Sequence, residues 1–237
     1  MANTTDNILS IDIGGSNIKT TILDVQGKLQ TAYQKVTTPI PATPETVTAA
    51  IKELVQNFPA YEKIAVGFPG YVKDGIVSTA PNLGTNYWQN INFAKLLMDT
   101  LGKPAKVIND ADMQGLGVVS GKGLEMVVTL GTGFGTAILK NGALLPHLEL
   151  AHHPIAKKQT YDEYIGDKAL EKIGLKKWNK RMKMIIGVLQ TVFNYDTLYI
   201  GGGNASKLDF ILAENIKIVT NKEGIHGGAR LWETDSH

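Results

Sequence analysis

Two glycine-rich turns, each preceded by a run of apolar residues, constrain the fold of this chain more than any other feature. Gly14-Gly15-Ser16 follows the run Ile8–Ile13, and Gly131-Thr132-Gly133 follows Glu125–Leu130. A strand that ends in such a turn directs several backbone N–H groups at one point, which suits phosphate oxygens. Any tight turn favours glycine, so one copy would say little. Two copies predict a phosphate chain held between two halves of the molecule.

The strands around these turns repeat in the same order. Alternating and apolar segments bounded by turn residues predict three consecutive antiparallel strands at the start of the chain and a second such set after residue 124. The predicted strands are Ile8–Ile13, Ile18–Asp24 and Leu29–Thr37, then Glu125–Leu130, Thr136–Lys140 and Ala143–Leu145. The sequence therefore predicts a duplicated unit.

Helices and further short strands follow each set. Helical spacing of apolar residues predicts helices after Thr43 or Thr46, at Ile91–Leu101, Asp110–Gly121, 160–174 and 177–194, after Gly203 and from Gly224. Strands are predicted at Lys63–Phe68, Ala105–Ile108, Thr197–Ile200 and Ile216–Val219. We expect an α/β protein with two mixed-sheet domains and a central cleft. Residues 1–108, completed by the helix 224–237, form the small N-terminal domain, and residues 109–223 form the larger C-terminal domain.

Composition narrows the class of protein. The 237 residues are 43% hydrophobic and 19% charged, which is sufficient for a packed core without cross-links. The absence of cysteine excludes disulfides, thiolate zinc sites and a cysteine nucleophile. The net charge of +2 is too small to indicate nucleic-acid binding. The polar first residues lack the features of a signal peptide, and no apolar run is long enough to span a membrane. We expect a cytoplasmic protein.

Two charged residues flank the first glycine turn. Asp12 precedes the turn and could hold Mg²⁺, directly or through water. It could equally cap the turn by accepting backbone N–H groups. Lys19 follows the turn and is either a donor-phosphate ligand or a solvated strand lysine.

The segment Asn109-Asp110-Ala111-Asp112 places two acids between a predicted strand and a predicted helix. Asp110 is either a cap of that helix or a general base that takes a proton from a hydroxyl during phosphoryl transfer. In the second case Asp112 would be the capping residue.

Two further segments suggest recognition of sugar hydroxyls. Glu149 and His152 form a Glu-x-x-His pattern, but a metal site needs three or four such ligands, so hydroxyl binding is favoured over metal binding. Asn82 lies in a loop with Trp88 close behind, a combination that is common in carbohydrate sites and also in ordinary loops.

The segment 168–183 is rich in basic residues. It contains Lys168, Lys172, Lys176, Lys177, Lys180, Arg181 and Lys183. Such a run usually forms a solvated helix face. The sharper alternative is a surface that binds a long polyanion.

Together these motifs resemble the ROK family of sugar kinases and repressors, within the actin/hexokinase superfamily, and most of all its polyphosphate glucokinases. The matching segments occur in the same order over nearly the whole chain. They are Ile11–Lys19, Val66–Gly70, Thr79–Leu83, Asn109–Asp112, Thr129–Gly135, Glu149–His152, Gly201–Gly203 with Ser206, and Gly224–Ala229.

The resemblance implies the two-domain actin-like ATPase (ribonuclease H-like) fold. It also implies a sugar kinase, a homodimer, that transfers phosphate from polyphosphate or ATP to the 6-hydroxyl of glucose or a similar hexose. It implies that Asp110 is the catalytic base and that Asp12 supports Mg²⁺. The sugar would be bound by Asn82, Asn109, Glu149 and His152. The donor would be bound by Gly14, Gly15, Ser16, Lys19, Thr132, Gly133, Gly202 and Gly203.

The chain also departs from the family pattern. Most ROK members carry a cysteine-rich zinc motif, which this chain lacks, as do the polyphosphate glucokinases. Ser16 replaces a usual Thr, Ala151 replaces Gly between Glu149 and His152, and His147-Leu148 replaces Asn-Thr. No helix-turn-helix precedes the first strand, so a repressor is not expected. A sugar-binding protein without catalysis, or a kinase for N-acetylglucosamine or mannose, stays open.

Overall fold

A computed structural model describes residues 6–220 and 224–233. The chain folds into two compact units. The first unit takes the chain up to Gly117 and resumes at Ile225, and the second contains Val118 to Gly224.

The strands, numbered in chain order, are β1 (Ile8–Ile13), β2 (Asn17–Leu23), β3 (Gln34–Thr37), β4 (Lys63–Phe68), β5 (Val72–Lys73), β6 (Ile76–Val77), β7 (Ile91–Asn92), β8 (Ala105–Asn109), β9 (Leu124–Leu130), β10 (Phe134–Lys140), β11 (Ala143–Leu144), β12 (Pro154–Ala156), β13 (Gln159–Thr160), β14 (Thr197–Gly201) and β15 (Ile216–Ile218). The helices are α1 (Pro44–Leu54), α2 (Thr85–Trp88), α3 (Phe93–Leu101), α4 (Asp110–Val118), α5 (Tyr161–Ile165), α6 (Asp167–Ile173), α7 (Leu175–Phe193) and α8 (Gly227–Glu233). Single 3-10 turns lie at Leu150–His152 and Ala205–Lys207.

The first unit is built on a five-stranded mixed sheet with the order β3-β2-β1-β4-β8. The hairpin strands β1, β2 and β3 are antiparallel, while β4 pairs parallel to β1 and β8 parallel to β4. Parallel pairing needs a crossover, which α1 and α3 provide. The core contains the apolar residues of β1 and β4 together with Val47 and Ile51 of α1 and Leu97 of α3.

The second unit repeats this topology. Its sheet has the order β11-β10-β9-β14-β15, with an antiparallel hairpin set followed by two parallel strands. Its core is formed by β9, β14 and the inner face of α7, where Trp178, Met182 and Ile185 are buried. The predicted duplication of a mixed-sheet unit is therefore confirmed.

Helix α8 returns the chain to the first unit. Its glycines pack closely, because a Cβ added to Gly228 would lie 2.4 Å from Ser10 Oγ and one added to Gly227 would lie 1.9 Å from the Met113 carbonyl. The Ser10 hydroxyl also donates to the Ile225 carbonyl over 2.9 Å. Residues more than 200 positions apart thus complete one core.

The first unit extends past residue 108, where the sequence-based division was drawn, as far as Gly117. Helix α4 packs on the first sheet, since a Cβ on Gly67 would lie 3.3 Å from the Asp110 Cα and 3.4 Å from Met113 Sδ. Arg230 of α8 also donates to the Leu116 carbonyl over 2.9 Å.

Several elements differ from the predicted ones in length. The third strand was predicted to begin at Leu29 but begins at Gln34. Leu29 itself forms only an isolated bridge to Leu23. The predicted helix 160–174 is two helices, because Gly166 adopts an extended conformation between them. The helix predicted after Gly203 is a single 3-10 turn. In the described ranges, none of the helices combines the length and apolar character needed to cross a membrane.

Candidate active site

The first glycine turn joins β1 to β2 and is fixed by three hydrogen bonds. The Gly14 N–H donates to the Asn17 carbonyl over 2.9 Å. Thr38 holds the turn from the end of β3, with its N–H 3.0 Å from the Ser16 carbonyl and its hydroxyl 2.7 Å from the Gly14 carbonyl. The N–H groups of Gly15 and Ser16 make no hydrogen bond to any described residue. Two such donors in one short turn suit an anionic ligand.

Asp12 lies near the end of β1, directly across from Lys19 of β2. Asp12 Oδ2 and Lys19 Nζ are 3.5 Å apart, and the side chains keep 39% and 46% of their surface exposed. Desolvation by the surrounding atoms raises the pKa of Asp12, and the charge and hydrogen bond of Lys19 oppose this shift. Among the described residues, no backbone N–H donates to the Asp12 carboxylate, so the turn is not closed by an aspartate cap.

Asn109 is the residue that caps α4. Its Oδ1 accepts the N–H groups of Ala111 at 2.8 Å and Asp112 at 3.4 Å. Its Nδ2 donates to the Gly70 carbonyl over 3.0 Å. The expectation that Asp112 is the capping residue is therefore wrong, because the residue just before the first helical turn supplies the cap.

Asp110 is the first residue of α4 and is half-buried. Its Oδ1 accepts the N–H of Ala111 over 2.8 Å. The positive end of the helix dipole favours the ionised form of a carboxyl in this position. Its neighbour Asp112 is buried, with 6% of its surface exposed. Of the two acids, Asp110 therefore offers the more accessible carboxylate.

Asn82 is exposed and lies against the first glycine turn, where a Cβ added to Gly15 would be 3.3 Å from Asn82 Cβ. The structure thus brings together two segments that are far apart in sequence. Trp88 does not share this surface. It is fully buried, it donates to the Ala42 carbonyl over 2.8 Å, and its ring lies 4.7 Å from that of Phe68. The interpretation of Trp88 as a sugar-site aromatic is wrong.

The second glycine turn joins β9 to β10. The Gly131 N–H donates to the Gly133 carbonyl over 3.2 Å, and the Gly131 carbonyl accepts the Asp167 N–H over 3.0 Å. The N–H groups of Thr132 and Gly133 have no hydrogen-bond partner among the described residues. Like the first turn, this one presents two backbone donors.

Two neighbours fix the second turn. Asp162 of α5 accepts the Phe134 N–H over 2.6 Å, and its Oδ1 would lie 2.7 Å from a Cβ on Gly133. Gly202 lies against the end of β9 with a φ of +90°, and a Cβ there would be 2.2 Å from the Leu130 carbonyl oxygen. Gly202 and the second turn are therefore adjacent, as their predicted common role requires.

Glu149 lies between two histidines. Its Oε1 is 3.2 Å from His147 Nε2, and its Oε2 is 3.8 Å from His152 Nε2. The His147 side chain is 8% exposed, whereas that of His152 is 53% exposed. The sequence analysis paired Glu149 with His152, although the shorter contact belongs to His147.

Asp162 is a second residue that the sequence interpretation missed. Desolvation raises its pKa, and the charges of Glu149 and Glu163 add to the shift, while the Phe134 N–H and His152 oppose it. This electrostatic coupling links the second glycine turn to the Glu149 region within one unit.

No group of three or more histidine or acidic side chains is placed to hold a metal ion within residues 6–220 and 224–233. Magnesium does not require one, since it is commonly held by one or two carboxylates together with substrate phosphates. A single carboxylate at Asp12, beside a turn with open N–H groups, is compatible with that mode of binding.

The comparisons with known proteins cover most of the chain. The ROK family profile matches residues 8–152. A polyphosphate glucokinase from Mycobacterium tuberculosis (strain CDC 1551 / Oshkosh) is 34% identical over 243 residues, which cover 95% of this chain and 91% of that protein. The polyphosphate glucokinase of Mycobacterium leprae (strain TN) is 33% identical, with 95% of this chain and 74% of that protein covered.

Solved structures agree with the sequence relatives. An inorganic polyphosphate/ATP-glucomannokinase from Arthrobacter sp. strain KM superposes with a TM-score of 0.85 at 32% identity, over 97% of this chain and 99% of that chain. A ROK family glucokinase from Streptomyces griseus, in complex with glucose and AMPPNP, gives a TM-score of 0.79 at 19% identity over 95% and 98% of the two chains, which shows the shared fold alone. The predicted actin-like ATPase fold is confirmed, and the chain belongs to the ROK family.

Proposed function

We propose that this chain is a hexose kinase that transfers a phosphoryl group from polyphosphate or ATP to the 6-hydroxyl of glucose or a similar hexose. The observation that carries the proposal is the similarity to polyphosphate glucokinases over 95% of the chain. The two glycine turns with open N–H groups and the accessible Asp110 support it.

In this proposal Asp110 accepts the proton of the attacking hydroxyl. The carboxylate lies at the N-terminus of α4, where the helix dipole stabilises negative charge, and it takes the proton as the new P–O bond forms. The Asn109 cap fixes the first turn of α4 and so orients Asp110. One N–H of the Asn109 amide is engaged by Gly70, and we assign the other to a sugar hydroxyl, together with Asn82, Glu149 and His152.

The donor phosphates occupy the backbone cradles. Gly14, Gly15 and Ser16 with Lys19 serve one part of the donor, and Thr132, Gly133, Gly202 and Gly203 serve the other. Mg²⁺ at Asp12 would neutralise charge on the donor phosphates. Phosphoryl transfer depends on positioning and charge neutralisation more than on covalent chemistry, and backbone donors held in fixed turns supply the positioning.

The basic segment 168–183, which lies on α6 and the first half of α7 and is called the basic helices below, favours polyphosphate as a donor. Helix α6 begins at Asp167, whose N–H binds the Gly131 carbonyl of the second glycine turn. The six lysines of residues 168–183 are exposed. Arg181 is not part of this surface, because it donates to the Tyr164 carbonyl over 2.6 Å and lies over the Tyr164 ring. The exposed lysines therefore begin one residue after Asp167, which is bonded to the second glycine turn. We propose that a polyanion bound at this turn continues along them.

Charge reversal tests this surface. We expect Lys168→Glu/Lys172→Glu/Lys176→Glu to lower kcat/KM for polyphosphate by roughly tenfold or more, since three attractive charges become repulsive. The value for ATP should change less than about twofold, because ATP has only three phosphates and does not extend along the helices. Steady-state kinetics with each donor at two salt concentrations measure both effects.

The matched control reverses three exposed lysines elsewhere, Lys52, Lys73 and Lys140, and so has the same net charge. It should leave the ratio of the two donor efficiencies unchanged. An equal loss for both donors in the first variant would contradict the role of the basic helices.

The acceptor and the reaction are tested together. Purified protein with glucose, Mg²⁺ and either donor should form glucose 6-phosphate, which is detected by its oxidation in a coupled enzyme assay. Mannose and N-acetylglucosamine are then compared with glucose as acceptors. Activity with N-acetylglucosamine alone would overturn the hexose assignment. Binding of glucose without product from either donor would instead identify a sugar-binding protein without catalysis.

We also propose a homodimer, as the family resemblance implies, and a cytoplasmic protein that needs no zinc and binds neither nucleic acid nor membranes, as the composition indicates. Analytical ultracentrifugation of the purified protein measures whether it is a dimer.

A further inference from the structure

Thr38 occupies an unusual place beside the first glycine turn. It directly follows β3 and is 4% exposed. Its backbone N–H and its hydroxyl bind two different carbonyls of the turn, those of Ser16 at 3.0 Å and Gly14 at 2.7 Å. One buried residue thus holds both ends of a three-residue turn.

The hydroxyl bond determines where a backbone donor points. The Gly14 C=O and the Gly15 N–H belong to one planar trans peptide and point in opposite directions. When Thr38 holds the carbonyl, it also fixes the N–H on the other side. Without this bond the two consecutive glycines would allow the peptide to rotate, because glycine restricts φ and ψ least.

We propose that Thr38 is a positioning residue that aims the Gly15 N–H at a phosphate of the donor. The inference rests on the proposed kinase function. Thr38 has almost no surface to offer a ligand, so it acts through the turn. Asn82 also packs close to this peptide, since its Cβ lies 3.3 Å from the position of a Gly15 Cβ.

The chain offers a matched control for a buried threonine. Thr20 of β2 is fully buried in the same unit, and its hydroxyl has no hydrogen-bond partner among the described residues. Thr20→Val and Thr38→Val remove the same group from similarly buried sites. Only the second removes a bond to the turn.

The experiment measures KM for each donor, KM for the hexose and kcat in Thr38→Val, Thr38→Ser and Thr20→Val, with thermal unfolding as a check on folding. For Thr38→Val we expect the donor KM to rise about tenfold, the scale of one buried hydrogen bond. The hexose KM should stay within about twofold, since only donor binding loses an interaction. Thr38→Ser, which keeps the hydroxyl, and Thr20→Val should resemble the parent.

The outcomes separate the two proposals. A parent protein that transfers no phosphate to any hexose overturns the kinase function and the role of Thr38 with it. An active parent with equal donor KM in Thr38→Val and Thr20→Val overturns the role of Thr38 alone. A loss of folded protein that leaves the donor KM of the remaining enzyme unchanged also overturns it, because the hydroxyl would then serve stability only.

Discussion

Replacing Asp110 with asparagine is expected to lower kcat by roughly 10²–10⁴-fold, the usual contribution of a positioned general base. The substitution keeps the shape of the side chain and leaves an oxygen that can still accept the Ala111 N–H, now 2.8 Å away. The folded structure should therefore survive. The hexose KM should change only a few-fold, because the lost interaction belongs to the transition state. Steady-state kinetics with saturating donor measure both constants.

Asp112→Asn is the matched control for this experiment. It makes the same change two residues further along the first turn of α4, at a carboxyl with 6% of its surface exposed. We expect turnover close to that of the parent, with any effect on thermal stability instead. A variant at 110 that keeps more than about a tenth of the parent kcat, or a larger loss at 112, would contradict the assignment of Asp110 as the base.

Much of the fold follows from local sequence patterns. The strands on either side of each glycine turn were predictable because apolar residues and turn residues alternate over short distances. The third strand was predicted too long for a reason that is not local. The Gln30 N–H donates to the Ile22 carbonyl over 2.8 Å, but the Ile22 N–H donates to the side chain of Thr31, at Oγ1, over 2.9 Å. The regular ladder of β3 therefore does not continue through these residues. Propensity alone cannot distinguish these two ways of satisfying the same backbone group.

The candidate site was predictable only where its residues share a motif. Glu149 and His152 lie three positions apart, and a helical turn brings them within reach. Asp162 was missed because it binds the Phe134 N–H across 28 positions, a contact that leaves no periodic signal. For Trp88 the sequence left a carbohydrate site and an ordinary loop open, and its complete burial excludes the carbohydrate site. Trp88 lies only six positions after Asn82, which suggested a shared surface. A bulky aromatic side chain is nevertheless stabilised more by burial than by exposure.

Gly202 was predicted as a donor ligand, and the structure gives it a demanding steric position as well. Its φ of +90° is strained for any L side chain, and a Cβ would lie 2.2 Å from the Leu130 oxygen. We expect Gly202→Ala to lower the free energy of unfolding of the second unit by about 2–4 kcal/mol, from backbone strain and overpacking together. Leu130 is the last residue of β9 and directly precedes the second glycine turn. A shift of Leu130 would therefore displace the turn, so kcat/KM for the donor should fall as well. Urea unfolding followed by kinetics on the folded fraction measures both.

The neighbouring Gly203 separates a steric requirement from a need for backbone contact with the donor. A Cβ on Gly203 meets no described atom within 4 Å, and its φ lies outside the strained region. Gly203→Ala should therefore change the free energy of unfolding by less than about 0.5 kcal/mol. If it nevertheless raises the donor KM, the added methyl group meets the donor itself, which places Gly203 at the ligand. Equal destabilisation by both substitutions would contradict the steric argument for Gly202, because its positive φ and its close approach to Leu130 are what distinguish it from Gly203.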